Sequence, residues 1–153
     1  MVMSRYQKAR EFEYAVRDDM RKRNYIAVRA AGSKTPADIY AFDLERKVFI
    51  QCKTNGVLRP AEWNRFYRYC RSVGAIPVLA MRNKSGRGIL YRLLTGEKVA
   101  YHKQPMTEWI PERGVRYEVP RADGERDRVP SRHRKQERKG PVPAALQDEP
   151  IAR

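Results

Sequence analysis

The sequence is poor in the residues from which disulfides, zinc sites and membrane spans are built. Its 153 residues include two cysteines, Cys52 and Cys70, and two histidines, His102 and His133. Neither pair has metal-ligand spacing, so we expect Cys52 and Cys70 to pack in the core. No stretch approaches the roughly 20 apolar residues of a membrane-spanning helix, and residues 1–10 lack an apolar signal region. We therefore expect an intracellular protein without a membrane partner.

Acidic residues are also scarce relative to basic ones. Lys and Arg number 33 against 18 Asp and Glu, a formal net charge of +15. Residues 1–119 carry 24 basic and 12 acidic side chains, a net +12, and residues 120–153 carry 9 and 6, a net +3. Because most of the excess lies in residues 1–119, we expect that part to bind a polyanion, nucleic acid in preference to an anionic membrane surface. No small-molecule cofactor is expected.

Hydrophobic periodicity predicts an α/β fold. The predicted elements, in order, are a helix, three strands, a helix and two strands, at residues 5–23, 25–31, 37–43, 47–53, 60–72, 76–81 and 89–94. Leu44-Glu45-Arg46 is predicted to form a hairpin turn, and Pro60 and Gly74 suit the two ends of the second helix. Short strands at 99–101 and 115–119 are a further possibility. A mixed sheet flanked by helices follows from this order.

The composition changes near residue 120, where aromatic residues stop and Pro, Gly and charged residues dominate. We expect residues 1–119 to form one domain and residues 120–153 to be a basic tail that is disordered without a partner. The most basic run of the tail is 132–139. Two interpretations of that run stay open, a solvated segment and a DNA-gripping one.

Two polar residues, Gln51 and Lys53, share one face of the third predicted strand, because side chains alternate with a period of two. Asp38 begins the preceding strand. Pairing of the two strands about Glu45 would put Asp38 opposite Cys52 and next to Gln51. The sequence therefore predicts a group of polar side chains at one end of this strand pair.

Such a group suits a hard divalent cation. Asp38 and Gln51 offer the oxygen ligands that Mg²⁺ prefers, and Mn²⁺ could substitute for it. Lys53 is placed to orient an attacking water or to stabilise developing charge. Glu13, at the edge of the apolar face of the first helix, is the candidate for an extra carboxylate. The chemistry indicated is metal-dependent hydrolysis of a phosphodiester.

Asp38 followed by Gln51-x-Lys53 resembles the signature of the PD-(D/E)xK nucleases. With Glu13, residues 28–33 (VRAAGS) and residues 36–39 (PADI) added, the series is similar to the archaeal-type Holliday junction resolvases, which also occur in phage-encoded versions. The resemblance covers residues 8 to about 94. It implies a restriction-endonuclease-like αβββαβ core, a homodimer, dependence on a divalent metal, and paired nicks across a four-way DNA junction.

The resemblance also implies roles for individual residues. Glu13, Asp38 and Gln51 would serve the metal, with the backbone carbonyl of Cys52 as a further ligand. Lys53 would act in catalysis, together with Glu13 and with Ser33 in the loop that faces the phosphate. The expected DNA contacts are Arg10, Arg29, Lys34, Arg65 and Arg68.

The sequence departs from the family at two points. The family has an acidic residue where Gln51 stands, and a neutral amide donates less charge, so metal affinity should be lower. Ala37 separates the proline from Asp38, a smaller change because the aspartate is the ligand. Two alternatives stay open: a related restriction-like or repair nuclease, and an inactive DNA-binding module. Taken singly, Ser33 is typical of a turn and Arg29 of a strand edge.

Overall fold

The computed structural model describes residues 2–32 and 34–116. Its elements, in chain order, are α1 Arg5–Lys22, β1 Ile26–Arg29, β2 Ile39–Phe42, β3 Lys47–Cys52, α2 Pro60–Ser72, β4 Ile76–Arg82, β5 Ile89–Leu94 and β6 Met106–Glu108. Ser33 and the predicted tail, 120–153, lie outside the described residues. The predicted domain boundary at residue 119 therefore stays a prediction. No helix in the described ranges is long and apolar enough to cross a membrane.

The strands form one mixed sheet in the order β1-β2-β3-β4-β5-β6. Neighbouring strands are antiparallel except β3 and β4, which are parallel and joined by α2. A parallel pair requires such a crossover, because a tight turn cannot connect two strands that run in the same direction. The predicted α/β class and the αβββαβ order of the core are confirmed, β5 follows as predicted, and β6 is added at the edge.

Helix α1 begins and ends at residues that satisfy its free backbone groups. The Ser4 hydroxyl accepts a hydrogen bond from the Gln7 N–H at 3.1 Å, and the Ser4 N–H donates to the Gln7 side chain at 2.8 Å, which is a capping box. At the other end Asn24 adopts a φ of 71°, where the sequence predicted the helix to stop. Between these ends, Phe12 and Val16 are buried against the sheet.

The core has two layers, one on each face of the sheet. Val48 and Cys52 of β3 face the α1 layer, whereas Phe49 faces the α2 layer. Cys70 is buried in the α2 layer, so both cysteines pack in the core as predicted. The predicted alternation of β3 is confirmed, and it places Gln51 on the same face as Phe49.

The predicted register of β2 and β3 is wrong by one residue. The structure pairs Ile39 with Ile50, whereas pairing about Glu45 would shift the partner of Ile39 by one position. The connection is longer than the predicted three-residue turn. The Asp43 carboxylate closes it by accepting hydrogen bonds from the backbone N–H of Glu45 at 2.9 Å and of Arg46 at 2.6 Å.

The last strand also differs from the prediction. Residues 99–101 form a turn rather than a strand, with the His102 N–H donating to the Val99 carbonyl at 3.2 Å and Tyr101 at a φ of 65°. A positive φ is incompatible with an extended strand. Edge strand β6 pairs with β5 instead. Residues 115 and 116 belong to no strand, and the rest of the predicted strand 115–119 lies outside the described residues.

Candidate active site

A cleft of about 380 Å³ opens where β2 begins and β3 ends. Its wall includes four of the residues predicted for the metal and for catalysis: Glu13, Asp38, Gln51 and Lys53. These side chains come from α1, from the approach to β2, and from β3 and the residue after it. The fold therefore brings together residues that are up to forty positions apart in the sequence. An adjoining cleft of about 270 Å³ shares the same four residues.

Asp38 is fixed to the end of β3 by its backbone and its side chain. Its N–H donates to the Ile50 carbonyl at 2.9 Å, and its Oδ2 accepts a hydrogen bond from the Cys52 N–H at 2.7 Å. With Ile50 paired to the residue after Asp38, the register puts Asp38 opposite Gln51 rather than opposite Cys52, while its carboxylate reaches the Cys52 N–H. The Cys52 backbone thus takes part through its N–H, and a role for its carbonyl stays a prediction.

The surroundings of Asp38 raise its pKa, so that a bound cation would stabilise its ionised form. Burial raises the pKa of Asp38 to about 6, despite the hydrogen bond from Cys52, which lowers it. The neighbouring Glu13 carboxylate raises this pKa further, and Lys53 and Arg29 lower it. A desolvated carboxylate beside a second one is stabilised when a cation binds between them.

Glu13 and Arg29 form an ion pair inside the cleft. Arg29 Nε donates to Glu13 Oε2 at 2.5 Å, and the two side chains are 20% and 19% exposed. The guanidinium also lies 5.3 Å from the centroid of the Tyr14 ring, a cation–π distance. Arg29 therefore contacts a predicted metal ligand, and contact with the DNA backbone stays a prediction for it.

Lys53 contacts a carboxylate that sequence reasoning missed. Its Nζ lies 3.2 Å from Glu62 Oε1, and Glu62 lines the cleft. Burial acts to raise the pKa of Glu62, but hydrogen bonds from Lys53 and from the Arg59 backbone outweigh it, and the pKa is lowered. A glutamate at the third position of a helix that begins with Pro60 is typical of a helix cap. The sequence therefore did not indicate that Glu62 lines the cleft.

The residues predicted to contact DNA fall in two places. Lys34, Arg65 and Arg68 line a second cleft of about 840 Å³ along α2, and Arg65 lines the first cleft as well. Arg68 also donates two hydrogen bonds to Glu97, at 2.5 and 2.8 Å. Arg10 lies apart from both, exposed on α1, where it donates to the Tyr14 hydroxyl at 3.1 Å.

The side-chain oxygens of the cleft fit a hard divalent cation, and two carboxylates and a neutral amide give the ligands a modest negative charge. Glu13 and Asp38 offer carboxylate oxygens and Gln51 an amide oxygen, which are the donors that Mg²⁺ and Mn²⁺ accept. Within the described residues no three His, Cys, Asp or Glu side chains group as a metal site, and position 51 offers an amide oxygen rather than a carboxylate. Such a set leaves several coordination positions to water and phosphate, as Mg²⁺ prefers.

Comparison with known proteins finds solved structures with a similar fold. The fold is similar to that of Hjc, a Holliday junction resolvase from the archaeal hyperthermophile Archaeoglobus fulgidus. The TM-score is 0.48 and the sequence identity 22%, over 55% of this chain and 70% of that chain. No protein-family model and no curated protein sequence matches the chain.

Proposed function

We propose that this protein is a metal-dependent endodeoxyribonuclease that resolves four-way DNA junctions by phosphodiester hydrolysis, acting as a homodimer that makes paired nicks. One observation carries the proposal. Glu13, Asp38, Gln51 and Lys53, which the sequence pattern singled out, line one cleft. Two carboxylates, an amide and an ammonium group are the parts needed to hold a cation and to offset charge on a phosphate.

Asp38, Glu13 and Gln51 would hold Mg²⁺ or Mn²⁺, with the Cys52 carbonyl as a further ligand. When bound, such a cation supplies an acidified water and stabilises negative charge that develops on the phosphate. Asp38 is oriented for this by the Cys52 N–H, which occupies Oδ2 and leaves Oδ1 for the cleft. Glu13 is oriented in the same way by Arg29 on Oε2.

Lys53 acts beside the ligands rather than among them. Its ammonium group lines the cleft with Asp38 and Gln51, where it can orient a water or stabilise charge on the transition state. Ser33 would act from the loop that faces the phosphate.

The basic cleft along α2 supports DNA as the substrate. Lys34, Arg65 and Arg68 line this cleft, which shares Arg65 with the catalytic cleft. Contacts of such side chains with phosphates supply affinity without reading the sequence. Positive charge attracts any DNA. The proposal of a four-way junction as the substrate therefore rests on the residues that resemble the junction resolvases. Paired nicks require two sites related by symmetry, which a twofold homodimer provides.

A cleavage assay on a labelled four-way junction tests the proposal. A linear duplex of the same sequence is assayed beside it, with Mg²⁺, Mn²⁺ or EDTA. We expect metal-dependent paired nicks in the junction and little cleavage of the duplex. A preference for the linear duplex would move the function to a restriction-like or repair nuclease.

Gln51 favours a second candidate, an inactive module that binds junctions. An amide donates less charge to a cation than the carboxylate it replaces, so binding of the metal could be too weak for turnover. Junction binding without cleavage under either metal would support this candidate. Restoration of cleavage by Gln51→Glu would then identify position 51 as the cause.

A further inference from the structure

Glu62 is a carboxylate in the cleft that no motif assigned. It stands in the first turn of α2 and lines the cleft with Asp38, Gln51 and Lys53. Its Oε1 accepts a hydrogen bond from Lys53 Nζ at 3.2 Å, and its Oε2 accepts one from the Arg59 N–H at 3.3 Å. The helix cap thus holds one oxygen, and the other is available to Lys53.

The arrangement of charges near Lys53 makes its contact with Glu62 important for the ammonium group. Position 51, which lies on the same face of β3, carries a neutral amide, so the strand brings a positive charge into the cleft without a negative one. Glu13 approaches from α1, on the other face of the sheet, and is paired with Arg29. The ion pair that the described residues provide for Lys53 is with Glu62, from α2.

We infer that Glu62 is a positioning residue for Lys53. From α2, Glu62 supplies the negative charge that the neutral Gln51 on β3 does not supply. The inference rests on the proposed hydrolysis, in which Lys53 faces the reacting phosphate. A lysine side chain is flexible, and a partner anchored to a helix cap narrows the positions of its ammonium group. The pair is partly exposed, at 31% and 48%, so it contributes little to folding stability. The ion pair instead fixes the position of the Lys53 ammonium group in the cleft.

Three variants test this on the full chain. Glu62→Gln keeps the length of the side chain and its capacity to cap α2, but removes the charge. Glu62→Asp keeps the charge with a shorter reach. Glu45→Gln makes the same change as the first variant in the exposed loop between β2 and β3, and is the matched control.

The measurements are kcat, KM for the junction and the Mg²⁺ concentration at half-maximal rate. We expect Glu62→Gln to lower kcat by roughly 10- to 100-fold, because a misplacement of about 1 Å in a catalytic group can cost about 100-fold, with KM and the Mg²⁺ requirement little changed. Glu62→Asp should recover part of the rate, and Glu45→Gln should match the wild type. An unchanged kcat would reduce Glu62 to a helix cap. A kcat that high Mg²⁺ restores would make it a cation ligand instead.

A second measurement does not depend on turnover. Reductive methylation of each lysine is followed by mass spectrometry, with the exposed Lys8 and Lys84 as internal references. In Glu62→Gln the amine of Lys53 should react several-fold faster, because its carboxylate partner is gone, and the references should not change. Equal labelling of Lys53 in both proteins would overturn the inference. If no form of the protein cleaves DNA but labelling responds, the proposed function fails and the ion pair stands.

Discussion

Asp38 is the residue on which the proposed chemistry depends most directly. Its carboxylate is held by the Cys52 N–H and lines both adjoining clefts. Asp38→Asn keeps the shape and a hydrogen-bond acceptor but removes the negative charge, so cleavage should fall by at least about 100-fold, as expected when a charge is removed from a catalytic site. Junction binding should persist, because the basic cleft is untouched. Gel-shift and cleavage assays on one preparation measure both, and a fully active variant would rule out the assignment of the metal site.

The same substitution should change stability with pH in the metal-free protein. The pKa of Asp38 is about 6 in the folded chain, above its value of about 3.9 when unfolded. Its contribution to stability is therefore fully present below about pH 4 and is lost as pH rises through about 6. In EDTA at pH 8, Asp38→Asn should melt several degrees higher than the wild type, from a gain of up to about 3 kcal/mol.

Two comparisons check that interpretation by thermal unfolding. At pH 4 the melting temperatures of the two proteins should converge, since Asp38 is then largely protonated when folded. Addition of Mg²⁺ at pH 8 should raise the melting temperature of the wild type more than that of the variant, because ligand binding stabilises the folded state. A variant that is less stable than the wild type at pH 8 would show that the charge of Asp38 does not destabilise the folded, metal-free protein.

Gln51 sets how much cation the site needs. Gln51→Glu returns the third carboxylate, so the Mg²⁺ concentration at half-maximal cleavage should fall, by about tenfold for each 1.4 kcal/mol gained. The measurement is a Mg²⁺ titration of cleavage rate in both proteins. An identical Mg²⁺ requirement would indicate that side chain 51 does not contact the cation.

At the scale of elements, the loop between β2 and β3 holds the site's two strands in register. Asp43 accepts hydrogen bonds from the N–H of Glu45 and Arg46, from the Arg46 guanidinium at 2.8 Å and from the Val115 N–H at 3.2 Å. Its side chain has no exposed surface. Asp43→Ala removes these acceptors and should destabilise the fold by about 2–4 kcal/mol, as measured by urea unfolding. Glu45→Ala, in the same loop, is the control and should cost less than about 0.5 kcal/mol.

The elements show why some features of the fold were predictable and others were not. Helix α2 was predicted to the residue, because Pro60 and Gly74 mark its ends and its apolar residues repeat at helical spacing. The register of β2 and β3 was missed, because it depends on hydrogen bonds of Asp43 that no hydrophobic pattern records. Edge strand β6 was missed for a related reason. Met106-Thr107-Glu108 is too short to show alternation.

The same distinction holds for the site. Asp38, Gln51 and Lys53 were predictable because they lie in, or directly next to, two adjacent strands, where period-two alternation indicates their side. Glu62 was not, because its place beside Lys53 follows from how α2 packs on the sheet, a tertiary relation that local sequence does not encode. Which side chains share a face of a strand can be derived from sequence, whereas strand register and contacts between layers need the structure.

At the scale of the whole molecule, the distribution of charge predicts what the last residues contribute. Residues 1–119 hold a net +12 of the total +15, and every single residue predicted to hold the metal or to contact DNA lies within them. A chain shortened to residues 1–119 should therefore cleave the junction at the wild-type rate once bound. Its binding should weaken modestly, because removal of 9 basic and 6 acidic residues leaves fewer phosphate contacts that release counterions.

The measurement is the slope of log binding constant against log salt concentration for the two proteins. Each phosphate contact contributes about 0.9 to that slope on duplex DNA, so a loss of one to three contacts should lower its magnitude by roughly 1–3. A full-length control in which only the basic side chains of 132–139 are changed to alanine separates that run from the rest. An equal slope in all three proteins would mean that residues 1–119 provide every phosphate contact. A shortened chain that does not fold would place part of the domain beyond residue 119.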